Sequence, residues 1–295
     1  MSFRVRLGKP VAKELSRVME RQIERAEARL GTWSAEPETA FHDVRRRLKK
    51  VRAAARVGRE VDEPLARAIN ASARDASRVL SAVRDADVVR AAAERLTRAV
   101  ADDEAACALE KFAVRAARAT PGQEEREALA ARAADVLEET SAKVRRLRGG
   151  DAPSRCLHRA AARVVRRAER AFLAAHAGPA AAAVVDEAVR HEWRKRVKEL
   201  WNVGRLLRRV WPLAERPNVG LANDLGKMLG EERDLLLLSV RLKSAARSCG
   251  GVDSRDAALA AVDAERVRLI AAARRLGAKV HAVDLPSATR VLEDA

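Results

Sequence analysis

Residues 42–56 read His-Asp-Val-Arg-Arg-Arg-Leu-Lys-Lys-Val-Arg-Ala-Ala-Ala-Arg, and the spacing within this stretch decides the fold. At about 100° per residue, His42, Arg45, Lys49, Arg52 and Arg56 fall on one stripe about 80° wide, with Val44, Leu48, Val51 and Ala55 on an apolar stripe directly beside it. Arg46 and Lys50 widen the positive side. At about 1.5 Å per residue the stripe is roughly 21 Å long. A basic stripe that borders the apolar one suits the wall of a cleft between helices. From Phe41 to Arg59 only Asp43 is acidic, against eight Lys or Arg. Like charges at i, i+4 cost about 0.2–0.5 kcal/mol per pair, so a cluster kept at that cost suggests an anion that neutralises it. The plain alternative is a solvated helix face.

The rest of the chain agrees with helix. Gly and Pro are scarce, Ala, Arg, Leu and Glu abundant, and no run of four to eight residues alternates in the manner of a strand, so the fold class is all-α. Breaks fall near Gly31 to Pro37, Gly58 to Pro64, Thr120 to Gly122, Gly149 to Pro153, Gly178-Pro179, Pro212 to Gly220 and Gly250-Gly251.

The strongest break lies at the midpoint, and sliding the sequence by 149 positions reveals a duplication. His42 falls on His191, Asp43 on Glu192, Arg45 on Arg194, Arg46 on Lys195, Lys49 on Lys198 and Arg56 on Arg205. Without a gap, Asp75 meets Asp224, Leu80 meets Leu229 and Arg84-Asp85 meets Arg233-Asp234; upstream, Arg17, Glu20 and Arg21 meet Arg166, Glu169 and Arg170. In the second copy His191, Arg194, Lys198 and Arg205 form the stripe, with Trp193, Val197, Leu200 and Leu207 on its apolar side. Four helices are the smallest set in which each buries a stripe against two neighbours, so the expected architecture is two four-helix bundles related by an internal pseudo-two-fold axis. One domain over 1–295 would then consist of an N-terminal bundle (about 1–148) and a C-terminal one (154–295).

Composition narrows the partner. Lys and Arg number 59 against 42 Asp and Glu, a net charge of +17, while aromatic residues are 3% and tyrosine is absent. Strong positive charge favours anions generally, whereas single-stranded nucleic-acid binders pair a basic groove with aromatic platforms. Three scattered cysteines without CxxC spacing point to a reducing cytoplasm and against a disulfide framework or structural zinc. With no secretory leader and no run approaching the roughly 20 apolar residues that span a bilayer, a soluble cytoplasmic protein with no membrane partner is expected.

His42 and His191 head the two stripes, where each could meet a phosphate oxygen or serve a structural role. His158, His176 and His281 have no such context. Asp85 and Asp234 could orient a cation of the stripe or cap the next helix. Trp193, Trp201 and Trp211 are expected on one helix, the first and last on its core side and Trp201 within the basic stripe.

The pattern His-x-x-Arg-x-x-x-Lys-Lys-x-Arg at His42–Arg52 resembles the signature of the CHAD family (conserved histidine α-helical domain). The second basic helix from His191 and the Arg84-Asp85 and Arg233-Asp234 segments fit the same resemblance, which covers nearly the whole chain. It implies two four-helix bundles around a basic central channel, binding of inorganic polyphosphate along that channel, and in some members association with polyphosphate granules. Carried over by position, the phosphate-contacting candidates are His42, Arg45, Arg46, Lys49, Lys50, Arg52 and Arg56, then His191, Arg194, Lys195, Lys198 and Arg205. Where the family's second copy commonly continues Lys-Lys-Leu-Arg, this chain has Lys198-Glu199-Leu200-Trp201, so its second half is expected to contribute less. Some members are fused to a triphosphatase-like domain with a Glu-x-Glu-x-Lys motif, which this sequence lacks.

Polyphosphate offers dense charge and no bases, matching a Lys/Arg groove without aromatics. Backbone-directed, non-specific nucleic-acid binding is the alternative. A polyphosphate- or nucleotide-metabolising enzyme is the remaining one, although no P-loop, HExxH or dense carboxylate cluster is present to hold a metal or phosphate. The expectation is therefore a binding protein with no catalytic residues, metal or cofactor.

Overall fold

In the computed structural model, residues 3–117, 122–176, 187–211, 217–245 and 249–281 are described, apart from the side chains of residue 38 and residues 82–86. Every regular element among them is helical: α1 (Val11–Gly31), a 3₁₀ turn (Trp33–Ala35), α2 (Pro37–Gly58), α3 (Glu63–Val79), α4 (Ser81–Thr97), α5 (Asp103–Ala117), α6 (Gln123–Leu147), α7 (Arg155–Ala174), α8 (Glu187–Leu206), α9 (Val219–Lys243) and α10 (Val252–His281). The fold is an all-α helical bundle. Breaks read from Gly and Pro recur at the ends of α1, α2, α5 and α6 and before α10. The Gly178-Pro179 break lies outside the described residues.

Local chemistry explains the ends. Pro37 opens α2 at a position where its missing N–H costs nothing. Asp62 caps α3, its carboxylate accepting from the Leu65 amide at 2.9 Å. Gly250 and Gly251 turn the chain into α10 at φ 98° and 150°, where a side chain would be strained. Two joins escape that punctuation: α3 passes to α4 at Leu80, and α4 ends before Asp103, neither join containing Gly or Pro.

Shifted by the 149-residue offset, α2 covers 186–207, against 187–206 for α8. The Leu80 join does not recur, because its counterpart Leu229 lies buried within the continuous α9.

Two compact units can be distinguished, Met1–Arg84 with Pro121–Ala168 and Lys198–Val219, and Asp85–Thr120 with Glu169–Val197 and Gly220–Ala295. In the first unit α1 packs on α2 and α6, and α3 also packs on α2 and α6, closing a ring of four helices. Leu15, Met19, Ile23, Val44, Leu48, Val51, Ile69 and Leu137 fill it. Fully burying a side chain of this size contributes about 1.5–3 kcal/mol. Buried hydroxyls tie the ring: Ser16 donates to the Val144 carbonyl at 3.1 Å, and Ser72 pairs with Thr140 at 2.8 Å. Glu14, 2% exposed, clamps Arg6 and Arg17 at 2.6 and 2.7 Å. Burial alone would raise the pKa of this carboxyl, but the hydrogen bonds from both guanidiniums hold it down at about 2.

In the second unit α5 packs on α10. Val89, Leu96, Leu109, Phe112, Leu235, Leu238, Val262 and Leu269 make one apolar cluster, and Phe172, Trp193, Val197, Leu225, Leu229 and Ala273 another. In the second cluster Gly277 lies so close to Phe172 and Trp193 that a Cβ there would come within 2.6 and 2.9 Å of the rings.

Candidate anion-binding site

Helix α2 exposes its charges in graded fashion. Val44, Leu48, Val51 and Ala55 are fully buried, Arg45, Arg52 and Arg56 are half-buried beside them, and His42 and Lys49 are exposed. Half-burial keeps the arginine stems on apolar surface while the guanidiniums emerge. Arg45 donates to the Ser77 carbonyl at the end of α3, and Arg52 donates to Asn70 Oδ1 at 3.3 Å.

The candidates on α2 divide into two groups by the charges around them. Arg52 is pushed down to about 10, first by burial and then by Arg56, Arg74 and Arg78, with Glu199 opposing. Arg74 and Arg78 sit at i, i+4 spacing on α3, outside the repeated basic helix from which the candidates were drawn. Lys50 is pushed down to about 8 by burial and by Arg205, Arg47, Arg46 and Arg25. Asp43, the single local acid, is engaged by Arg46 at 2.6 Å and Arg47 at 3.6 Å. The first unit therefore carries cations whose main electrostatic neighbours are other cations, the condition that a bound polyanion relieves.

The second stripe is divided between the units. Lys198 and Arg205 belong to the first unit together with α2, while His191, Arg194 and Lys195 belong to the second. Trp201 sits beneath both of the former, with Lys198 Nζ 5.2 Å and Arg205 Cζ 5.0 Å from its ring centroid. Such cation–π contacts, worth about 0.5–1 kcal/mol each at exposed sites, fix the two cations against one flat face. The departure at Glu199 also acquires a physical role. This carboxylate is buried and faces Arg56 Nε at 3.6 Å. Glu199 removes a cation from the second stripe, and its partner lies at the end of the first.

In the second unit Arg194 passes over Gly230 of α9, where a Cβ would lie 3.7 Å from its Nη2. Lys195 and Arg196 both reach Glu192, at 3.2 and 2.5 Å. His191 is held below its usual pKa by burial, then by Lys195, Arg233 and Arg194, and its buried Nδ1 has no hydrogen-bond partner. A phosphate beside it would raise that pKa and let the ring donate.

Several expectations need correction. Asp234 lies well inside α9 and Asp85 falls at the fifth residue of α4, so neither caps a helix; the side chains of Arg84 and Asp85 are outside the described residues. Arg233 pairs with Glu187. Trp211 is buried as expected but lies beyond α8, which ends at Leu206. His176 and His281, which the sequence left without context, stand in one ring cluster with Phe172 and Trp193. Their separation of 105 residues hid that meeting.

Among the described residues, no group of three or more His, Cys, Asp or Glu is placed to hold a metal, and no helix is long and apolar enough to cross a membrane.

A family model described as the CHAD domain matches residues 17–243. Among solved structures, PptA from Streptomyces chartreusis is similar over 92% of this chain and 99% of its own, at 17% identity and a TM-score of 0.63. The CHAD domain from the plant Ricinus communis is similar over 100% of this chain and 94% of its own, at 18% identity and a TM-score of 0.61. At such identities the likeness is one of fold. No curated protein matches the chain.

Proposed function

The chain belongs to the CHAD domain family, and from that premise we propose that it binds inorganic polyphosphate through the cations of α2 and α8. The supporting observation is electrostatic: Lys50 and Arg52 are half-buried, and their charged neighbours are chiefly cations. Leaving such groups side by side costs stability that a chain of phosphates returns. Within the first unit the proposed contacts are His42, Arg45, Arg46, Lys49, Lys50, Arg52, Arg56, Lys198 and Arg205; His191, Arg194 and Lys195 are those of the second. The reading carries with it the duplicated pair of four-helix bundles, the basic channel and the granule association that the resemblance implies. The closed ring of α1, α2, α3 and α6 supports the first bundle of that pair.

A competition titration at physiological salt tests the proposal. Polyphosphates of several lengths compete against double- and single-stranded DNA, with Arg45, Lys49, Arg194 and Lys198 reversed to Glu as the control. The expected result is preference for polyphosphate, lost in the reversed variant, with affinity falling steeply as salt rises. Equal affinity for DNA, or indifference to the reversals, would overturn it.

A further inference from the structure

Residues 3–6, which lead into α1, are pinned through their backbone. The Arg4 carbonyl accepts from Arg17 Nη2 at 3.0 Å, the Val5 amide donates to the Leu206 carbonyl at 2.9 Å, and the Arg6 amide donates to Glu14 at 2.9 Å. Phe3 and Val5 are buried and hold the segment down. The Phe3 ring carries the Lys50 ammonium 5.8 Å from its centroid, a contact that favours the charged lysine. Leu206 is the last residue of α8, so the Val5 amide satisfies a carbonyl that the helix end leaves without a donor.

These anchors bring Arg4 to the cations of the proposed site. On one side of it Phe3 meets Lys50 of α2; on the other, Val5 is bonded to the residue that follows Arg205. Arg205 is itself held over Trp201, 5.0 Å from the ring centroid. Arg6 and Arg17 both reach the carboxylate of Glu14, whereas the guanidinium of Arg4, half-buried, makes no hydrogen bond or ion pair among the described residues. Its charge bears on Arg205, whose pKa is lowered by burial, then by Arg4 and Arg46. A partly desolvated guanidinium without a counter-charge, beside like charge, costs free energy that an anion in contact with it offsets. All of these residues belong to the first unit.

We propose that Arg4 is a further phosphate contact, joining Arg205 in holding the polyanion from a segment that lies outside the repeated helix. The inference rests on the polyphosphate reading and adds a residue to it. Arg4 precedes residues 17–243, which the family model matches, and at the 149-residue offset it falls on Pro153, so neither the family match nor the duplication points to it. A guanidinium offers several donors in one plane and suits the oxygens of a phosphate.

The full chain and its Arg4→Gln and Arg4→Lys variants are titrated with polyphosphate of one defined length at several salt concentrations, and the series is repeated with single-stranded DNA. Arg4→Gln should weaken polyphosphate binding by about three- to tenfold and make the slope of log affinity against log salt shallower by about 0.7–0.9, the share of one phosphate contact. Arg4→Lys keeps the charge and should keep the slope. Arg4→Met, which retains the apolar stem, replaces Arg4→Gln if that variant folds poorly. A purely structural Arg4, a cation at the negative end of α8, would lower stability in urea unfolding and leave the slope alone. An unchanged slope in the folded neutral variant, or an equal change in Arg4→Lys, would overturn the assignment while polyphosphate binding itself stands. Preference for DNA would overturn the polyphosphate reading, and the slope measured on DNA then decides Arg4 separately. A wild type that binds neither polyanion overturns both.

Discussion

Lowering the pH from 8 to 5 should destabilise the second unit by about 2 kcal/mol through His281 alone. His281 closes α10 against Phe172, ring centroids 5.1 Å apart, and its buried Nε2 has no hydrogen-bond partner. Burial first, then His176, pushes its pKa down to about 4. In the unfolded chain the ordinary value is about 6.5. The unfolded state therefore binds more protons: stability is full above about pH 6.5 and is lost as pH falls toward 4. At pH 5 the unfolded histidine is about 97% protonated and the folded one about 10%, which gives the stated loss. The neighbouring groups act in the same sense. His176 is lowered by burial and by Arg274, partly offset by its bond to the Phe172 carbonyl, and His191 is lowered by burial and surrounding cations. Glu14 does not confuse the window, since its contribution is complete above the ordinary carboxylate value of about 4.5 and disappears only toward about 2. Urea unfolding followed by tryptophan fluorescence at pH 8 and pH 5 measures the loss, Trp193 reporting from 4.8 Å beside His176. In His281→Phe the pH dependence should shrink by about 2 kcal/mol. Wild-type stability that is flat over this range, or a variant as pH-dependent as the wild type, would refute the reasoning.

Two further outcomes are expected. Gly277→Ala places a Cβ 2.6 Å from Phe172 and 2.9 Å from Trp193, so the rings must shift; a loss of about 1–3 kcal/mol in chemical denaturation is expected. Glu199→Gln removes the buried carboxylate 3.6 Å from Arg56, so polyphosphate affinity should rise and the slope of log affinity against log salt should steepen by about one counterion, checked by titration at several salt concentrations.

The α2 stripe was legible because helical periodicity places sequence neighbours on one face without reference to the rest of the fold. Its apolar border at Val44, Leu48, Val51 and Ala55 is buried as that periodicity requires. The Leu80 join was not legible, since it contains neither Gly nor Pro. Arg74 and Arg78 carried a visible i, i+4 spacing on α3, but only packing of α3 on α2 gives them influence over Arg52.

By itself, then, the sequence determined the helical class, the repeated basic helix and the excess of positive charge, all of which depend on composition and on spacing along one axis. Tertiary structure alone decided which charges are neighbours. It divided the second stripe at Val197, set Glu199 opposite Arg56, surrounded Lys50 with guanidiniums and brought His176 and His281 into one ring cluster. The physical reason is that electrostatic coupling and desolvation depend on distance and burial in space, and residues far apart in the chain acquire both only when the helices pack.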